Sequence, residues 1–277
     1  MPNYDKLSVV VSVILLCLAL SLVIELPTRT FGFVVLGIPL TIRFHQNWLA
    51  AALLVGMACS GTASIMRLHP LSQESDPSIN SGHRLSPTFA SWILPGLTTL
   101  SAAILLPQAP NRIYALGGLT TMGILLPLII TAEYRTVDTS APGYRAVRLG
   151  LNFVAYLTAL VLFVLIHGSQ APGFLMAAAA LVGSSLLALD LLHGIRQSLK
   201  RTGLYALIVG LVMGEIAWAL SYLTLNSLTA GIFLLLLFYL ITGLARQGLL
   251  KLLSRRILVE FALVALIGLV LLLKHAP

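Results

Sequence analysis

The sequence predicts an all-α fold, a polytopic integral membrane helical bundle of about nine transmembrane helices, with a short β-hairpin after the first. Three observations carry that expectation. Hydrophobic residues fill 58% of the 277 positions and charged residues only 9%, against about 25% charged in soluble domains. Apolar runs close to the roughly 20 residues needed to cross a bilayer recur nine times. The basic residues between those runs fall unevenly on the two sides of an alternating chain, as the positive-inside rule requires.

The nine runs are Leu7 to Ile24, Trp48 to Met66, Phe89 to Leu106, Ile113 to Ala132, Leu149 to Ile166, Gly173 to Leu192, Leu204 to Leu223, Leu228 to Ala245 and Ile257 to Leu273. With the N-terminus in the cytoplasm, connections on that side hold 13 of the Lys and Arg residues and the others hold four. Nine crossings, N-terminus in and C-terminus out, follow as the expected topology, with the cell's inner (plasma) membrane as its location. At this density of crossings residues 1–277 form a single integral membrane domain. The first run, preceded by Lys6, is longer than a signal-peptide core and lacks a small-residue cleavage site after it, so it reads as a retained helix.

Between the first two runs, Thr30 to Phe44 is apolar but too short to span twice. Phe31, Phe33 and Val35 alternate with smaller residues before Gly37-Ile38-Pro39, and Leu40, Ile42 and Phe44 alternate after it. Period-2 alternation about a Gly/Pro turn predicts a β-hairpin on the outer surface, in preference to a re-entrant loop, which must be buried in protein. The next connection, Arg67 to Ser86, is the most polar stretch of the chain. Its His69, Glu74, Asp76 and His83 match no metal-ligand spacing. The third run carries Pro95-Gly96 and is expected to kink there. Gly96-Leu97-Thr98-Thr99-Leu100 and Gly118-Leu119-Thr120-Thr121-Met122 resemble one another, but consecutive crossings would run them in opposite directions.

The formal charge of +8 comes from short clusters between apolar runs, so nucleic acid is not an expected partner; phosphate binding needs a contiguous basic face. Membrane lipids and other integral membrane subunits are. Cys17 and Cys59 lie in apolar runs without metal or redox spacing.

Ionisable groups inside the apolar runs are functional candidates by default. Glu215 lies roughly 18 Å along its helix from Gly203. Trp218 and Tyr222 follow at i+3 and i+7 on the same face, a candidate contact for a lipid or quinone. Gly210 and Gly214 form a GxxxG helix-packing face beside it. A protonated Glu215 bonded to a neighbouring helix, with Tyr239 at a similar depth, is the plainer reading. Asp190 with His193, and Arg256 with Glu260, read as an inner-interface ion cluster built from i, i+3 and i, i+4 pairs.

Gly214-Glu215 with Trp218 to Tyr222, then Phe238-Tyr239-Leu240-Ile241-Thr242-Gly243-Leu244-Ala245, then Arg255 to Leu263, resembles an uncharacterised multi-pass membrane protein family of filamentous, often phototrophic, bacteria. The resemblance covers about the last quarter of the chain and brings no assigned activity. It implies membranes that hold electron-transport assemblies such as alternative complex III.

No His pair sits at one depth for a haem, no nucleophile has a base at its level, and neither an Asp-rich diphosphate site nor a P-loop is present. The expectation is therefore a protein with no catalytic residues, no metal and no cofactor: a non-catalytic accessory or structural subunit of a larger membrane complex, in electron transport by the resemblance. The alternative is a carrier or flippase for a lipid or small hydrophobic substrate, with Glu215 as its coupling carboxyl.

Overall fold

The computed structural model of the chain describes residues 4–23, 29–35, 38–44, 47–67, 90–138, 143–169, 171–193 and 199–250. Eight α-helices lie among them: α1 (Tyr4–Val23), α2 (Asn47–Met66), α3 (Ile93–Leu105), α4 (Arg112–Thr136), α5 (Tyr144–Gly168), α6 (Gly173–His193), α7 (Leu199–Leu220) and α8 (Ser227–Leu249). Two strands, β1 (Arg29–Val35) and β2 (Ile38–Phe44), pair antiparallel between α1 and α2, with Arg29 opposite Phe44 and Val35 opposite Ile38.

Six of the helices, α1 and α4 to α8, are long and apolar enough to cross a membrane, and the protein is a multi-pass membrane protein. This corrects the expected nine crossings. The apolar stretches of α2 and α3 are shorter, Ala50–Met66 and Ile93–Gln108, and the ninth run, Ile257 to Leu273, lies outside the described residues. The β component of the expected fold class is corrected as well. The bundle is all-helical, and both of its buried clusters are built from helices and Ala90 just before α3. The strands make their main contacts with each other, and a lone two-stranded unit is at best marginally stable in water. The polar connection with His69, Glu74, Asp76 and His83 is outside the described residues.

Helix α3 departs furthest from its sequence reading. Its 13 residues rise about 20 Å, too little to span alone, and Leu106–Gln108 continue it as a 3₁₀ turn. Most of its side chains are buried, because it lies between two cores. One core joins α1, α2, the end of α3 and α4; the other joins the start of α3 to α5, α6, α7 and α8. Pro95 falls in the first turn of α3, where the N–H that proline lacks has no intrahelical acceptor anyway. The expected kink at Pro95-Gly96 is thereby unnecessary. Gly96 is in close contact with Cys59 of α2, whereas Thr120 and Thr121 of the similar string in α4 are exposed. The two strings do different things.

The pairs α1 with α2 and α5 with α8 run antiparallel. A side chain at Gly61 of α2 would meet Val10 of α1, and one at Gly231 of α8 would meet Val164 of α5. Gly143, at φ +89°, turns the chain into α5 through a left-handed conformation that side chains with a Cβ rarely adopt. Helices α6 and α7 form the tightest pair. A Cβ at Gly210 would collide with Ser185 Oγ and stand 2.6 Å from the Leu181 carbonyl, and one at Gly214 would stand 3.0 Å from the Ala177 carbonyl. Ala177, Leu181 and Ser185 are spaced by four, so one face of α6 receives both glycines, as small residues permit in membrane helices.

Gly210→Ala is expected to lower the thermal stability of the detergent-solubilised chain by about 1–3 kcal/mol, the range for overpacking. Gly203, at the start of α7, has no neighbour within 4 Å of a built Cβ. Gly203→Ala should leave the melting temperature unchanged or raise it.

Candidate functional site

The helix ends sort the polar residues into two layers. At one end α4, α6 and α8 finish and α5 and α7 begin; Arg135, Arg145, Lys200, Arg201 and Arg246 are exposed there, and it is called the basic end below. The opposite end holds the finish of α5 and α7 and the start of α6 and α8.

At the basic end a charged cluster is sealed between α4, α5 and α6. Glu133 is 5% exposed and Asp190 3%. Arg148 donates a guanidinium N–H to the main-chain carbonyl of Asp190 at 2.6 Å. Glu133 lies within the field of both Asp190 and Arg148, and Asp190 within that of Arg148 and His193. Glu133 and Asp190 are each three residues from the end of their helix and Arg148 four from the start of its own, so all lie about 5 Å inside the helix ends. Glu133 Oε1 is buried and accepts no hydrogen bond from a described residue.

The sequence placed Asp190 and His193 in an interfacial ion cluster, and the structure brings these two together. Arg256 and Glu260, its other members, are outside the described residues. Glu133 and Arg148 were missed, because the fourth apolar run was ended at Ala132 and the fifth begun at Leu149. A signal was available. Met122, Leu126, Ile129, Ile130 and Glu133 recur at helical spacing along the buried stripe of α4, so the stripe carries Glu133 inward with it.

At the opposite end a cavity of about 580 Å³ opens between α5, α6, α7 and the α7–α8 connection, lined by His167, Phe174, Met176, Trp218, Ser221 and Tyr222 among others. Trp218 donates its indole N–H to the Tyr222 hydroxyl at 3.1 Å, and Ser221 donates its hydroxyl to the Trp218 carbonyl at 2.6 Å. His167 Nε2 lies 3.3 Å from the Leu225 carbonyl. A carbonyl only accepts, so Nε2 carries the hydrogen, and in the neutral ring Nδ1 is left as an acceptor. Nδ1 is buried without a partner among the described residues. Gly173 gives the cavity its room, since a Cβ there would stand 2.6 Å from Ser221 Oγ and 3.2 Å from Trp218.

Of the three residues expected to contact a lipid or quinone, Trp218 and Tyr222 line this cavity and Glu215 does not. Glu215 is exposed on the outside of α7 and makes no hydrogen bond with another described residue. Measured from Gly203 it is deep, but α7 ends at Leu220, five residues on and about 8 Å away. Trp218 and Tyr222 stand between it and that end, where aromatic side chains gather at membrane interfaces. Tyr239, the suggested partner of Glu215, sets its ring edge-on to Tyr156 with centroids 5.6 Å apart.

Residues 26–274 match the family described as a protein of unknown function, DUF5656. No curated protein and no solved structure matches the chain.

Arg148→Gln removes a charged donor from the Asp190 carbonyl and the positive charge facing two buried acids. A loss of about 2 kcal/mol is expected, the scale of a hydrogen bond to a charged group, read as a lower melting temperature. The exposed Arg145→Gln should change it by less than about 0.5 kcal/mol.

Proposed function

We propose that this chain, which belongs to the DUF5656 family, acts as a non-catalytic subunit of a larger membrane assembly and docks through the outward face of α7. The observation that carries this reading is the exposed carboxyl of Glu215 in an otherwise apolar stripe. Leu204, Ile208, Leu211, Trp218 and Tyr222 are exposed at spacings of four and three about Glu215, the repeat by which one helix seats against another. Lipid would solvate the apolar members of that stripe but not the acid. Insertion scales give a cost of roughly 3 kcal/mol for an acidic side chain at the bilayer centre, so an acid on a lipid-facing stripe is better matched by a polar partner than by lipid.

A partner helix that sets a basic or hydrogen-bond-donating side chain opposite Glu215 removes that cost. A second copy of this chain is disfavoured as the partner, because two-fold pairing along α7 would bring two Glu215 carboxyls toward each other. The outward face of α5 is apolar through Leu149, Phe153 and Leu157 and suits lipid.

We orient the basic end toward the cytoplasm, with the N-terminus on that side and the chain in the inner (plasma) membrane. The positive-inside rule supports this, as Arg135, Arg145, Lys200, Arg201 and Arg246 lie at that end while Arg112 begins α4 at the other. Electron transport as the setting rests on the sequence resemblance alone. The carrier alternative gains no support from the cavity, since its coupling carboxyl would have to line it.

Extraction in mild detergent should recover the chain in fixed ratio with a different integral membrane protein. Glu215→Ala is expected to release that partner with the melting temperature of the chain unchanged, and Phe153→Ala to retain it. Recovery of the wild type solely as monomer or homodimer, or retention of the partner in Glu215→Ala, would overturn the assignment.

A further inference from the structure

The cavity between α5, α6 and α7 has features that a docking face on the outside of α7 does not require. Its volume of about 580 Å³ falls in the range of small-molecule sites, which combine apolar walls with a few placed polar groups. Among the lining residues Met176 is 5% exposed, whereas Trp218 is 47% and Tyr222 75% exposed, so a closed apolar interior leads to an open aromatic mouth. Those two rings also belong to the outward stripe of α7, beside the end of the helix. The mouth therefore opens at the level where amphipathic rings settle between lipid and water, and a molecule dissolved in the membrane reaches it.

Two hydroxyls at this mouth are bonded so that one donor and one acceptor are left over. Tyr222 accepts the indole N–H of Trp218 on its oxygen, so the phenol keeps its own hydrogen to donate. Ser221 gives its hydrogen to the Trp218 carbonyl, so its oxygen keeps its lone pairs. A Cβ at Gly173 would stand 2.6 Å from Ser221 Oγ, and the glycine leaves that hydroxyl its place. A head that bears hydroxyls meets both needs, because each hydroxyl donates and accepts. Charge is disfavoured on a separate ground. No Asp, Glu, Lys or Arg is among the described lining residues, and enclosing an ion without a counter-charge is costly.

We propose that this cavity binds the uncharged, hydroxyl-bearing head of one membrane lipid, with Tyr222 donating to it, Ser221 accepting from it and the Trp218 ring packed against it. The sugar of a glycolipid and the ring of a quinol share that chemistry, and the same residues serve either. The site does not rest on the partner assigned to the outer face of α7: Glu215 is not among its lining residues. Trp218 and Tyr222 are common to both surfaces, so binding is read on the purified chain with no partner present.

Native mass spectrometry tests this on the purified full-length chain, delipidated in detergent and offered monoglucosyl diacylglycerol, menaquinol or phosphatidylglycerol separately at equal concentration. The expected result is one monoglucosyl diacylglycerol or one menaquinol retained per chain, with phosphatidylglycerol weaker by about tenfold or more. Which of the uncharged lipids is held identifies the source of the head. Tyr222→Phe and Ser221→Ala should each weaken retention about threefold to tenfold, the scale of one hydrogen bond. Tyr222 is mostly exposed, so its variant keeps the fold. Tyr114→Phe, at an exposed tyrosine that does not line the cavity, should change nothing. Phosphatidylglycerol held as tightly as the uncharged lipids, or no lipid held by the wild type, would overturn the proposal. So would wild-type retention in both Tyr222→Phe and Ser221→Ala.

Discussion

The contact between α6 and α7 is the constraint on which the described structure turns. At Gly210 and Gly214 the backbone of α7 comes so close to the Ala177 and Leu181 carbonyls that no Cβ fits at the upper glycine without displacing main chain. In lipid there is little hydrophobic gain from bringing two apolar helices together, so close packing and hydrogen bonding must supply it. Two glycines at spacing four on α7, set against the Ala177, Leu181 and Ser185 row of α6, satisfy that requirement. The pair in turn fixes both polar layers. It holds Asp190 and His193 at the basic end, and it sets Gly173 beneath Trp218 and Ser221 at the other.

Water does not reach the interior of such a bundle, so each polar group must find its partner within the protein. Hydroxyl groups do so locally. Thr62, Thr98, Thr99, Ser101 and Thr242 each donate to a carbonyl one turn back on the same helix, which lets them sit in a buried face at little cost. Carboxyls have no such local solution when ionised, because they only accept. That difference in chemistry explains why the threonines are scattered along the helices while the buried acids are gathered in one layer with a guanidinium and an imidazole. Glu215, exposed on the outside of α7, makes no hydrogen bond with another described residue and stands outside this arrangement.

How much of this the sequence carried depends on what kind of force placed each residue. Composition and run length reported lipid, and the GxxxG at Gly210 and Gly214 reported a packing face, because both are properties of one helix read alone. Helix α3 was misread as a crossing because a helix buried among other helices and a helix exposed to lipid are both apolar all round; length separates them, and the run Phe89 to Leu106 included residues that precede and follow the regular helix. Glu133 and Arg148 were lost for the opposite reason. A charged residue at a segment end reads as the start of a connection, yet each helix continued past it and turned it into the bundle. The pairing of Arg148 with a carbonyl 42 residues away is tertiary information that no periodicity contains.

Glu215 and the basic-end layer, though far apart along the bundle, belong to a single mechanical unit. Helix α7 presents Glu215 outward and its glycines inward, and the inward face meets α6 at Ser185, five residues from Asp190. Sliding α7 along α6 would drive the Gly210 backbone against the Leu181 carbonyl, and interiors packed this closely shift as units and not by continuous deformation. Gly210 and Gly214 therefore fix the height of α7 against α6, and with it the levels at which Glu215 on one helix and Asp190 on the other stand in the bundle.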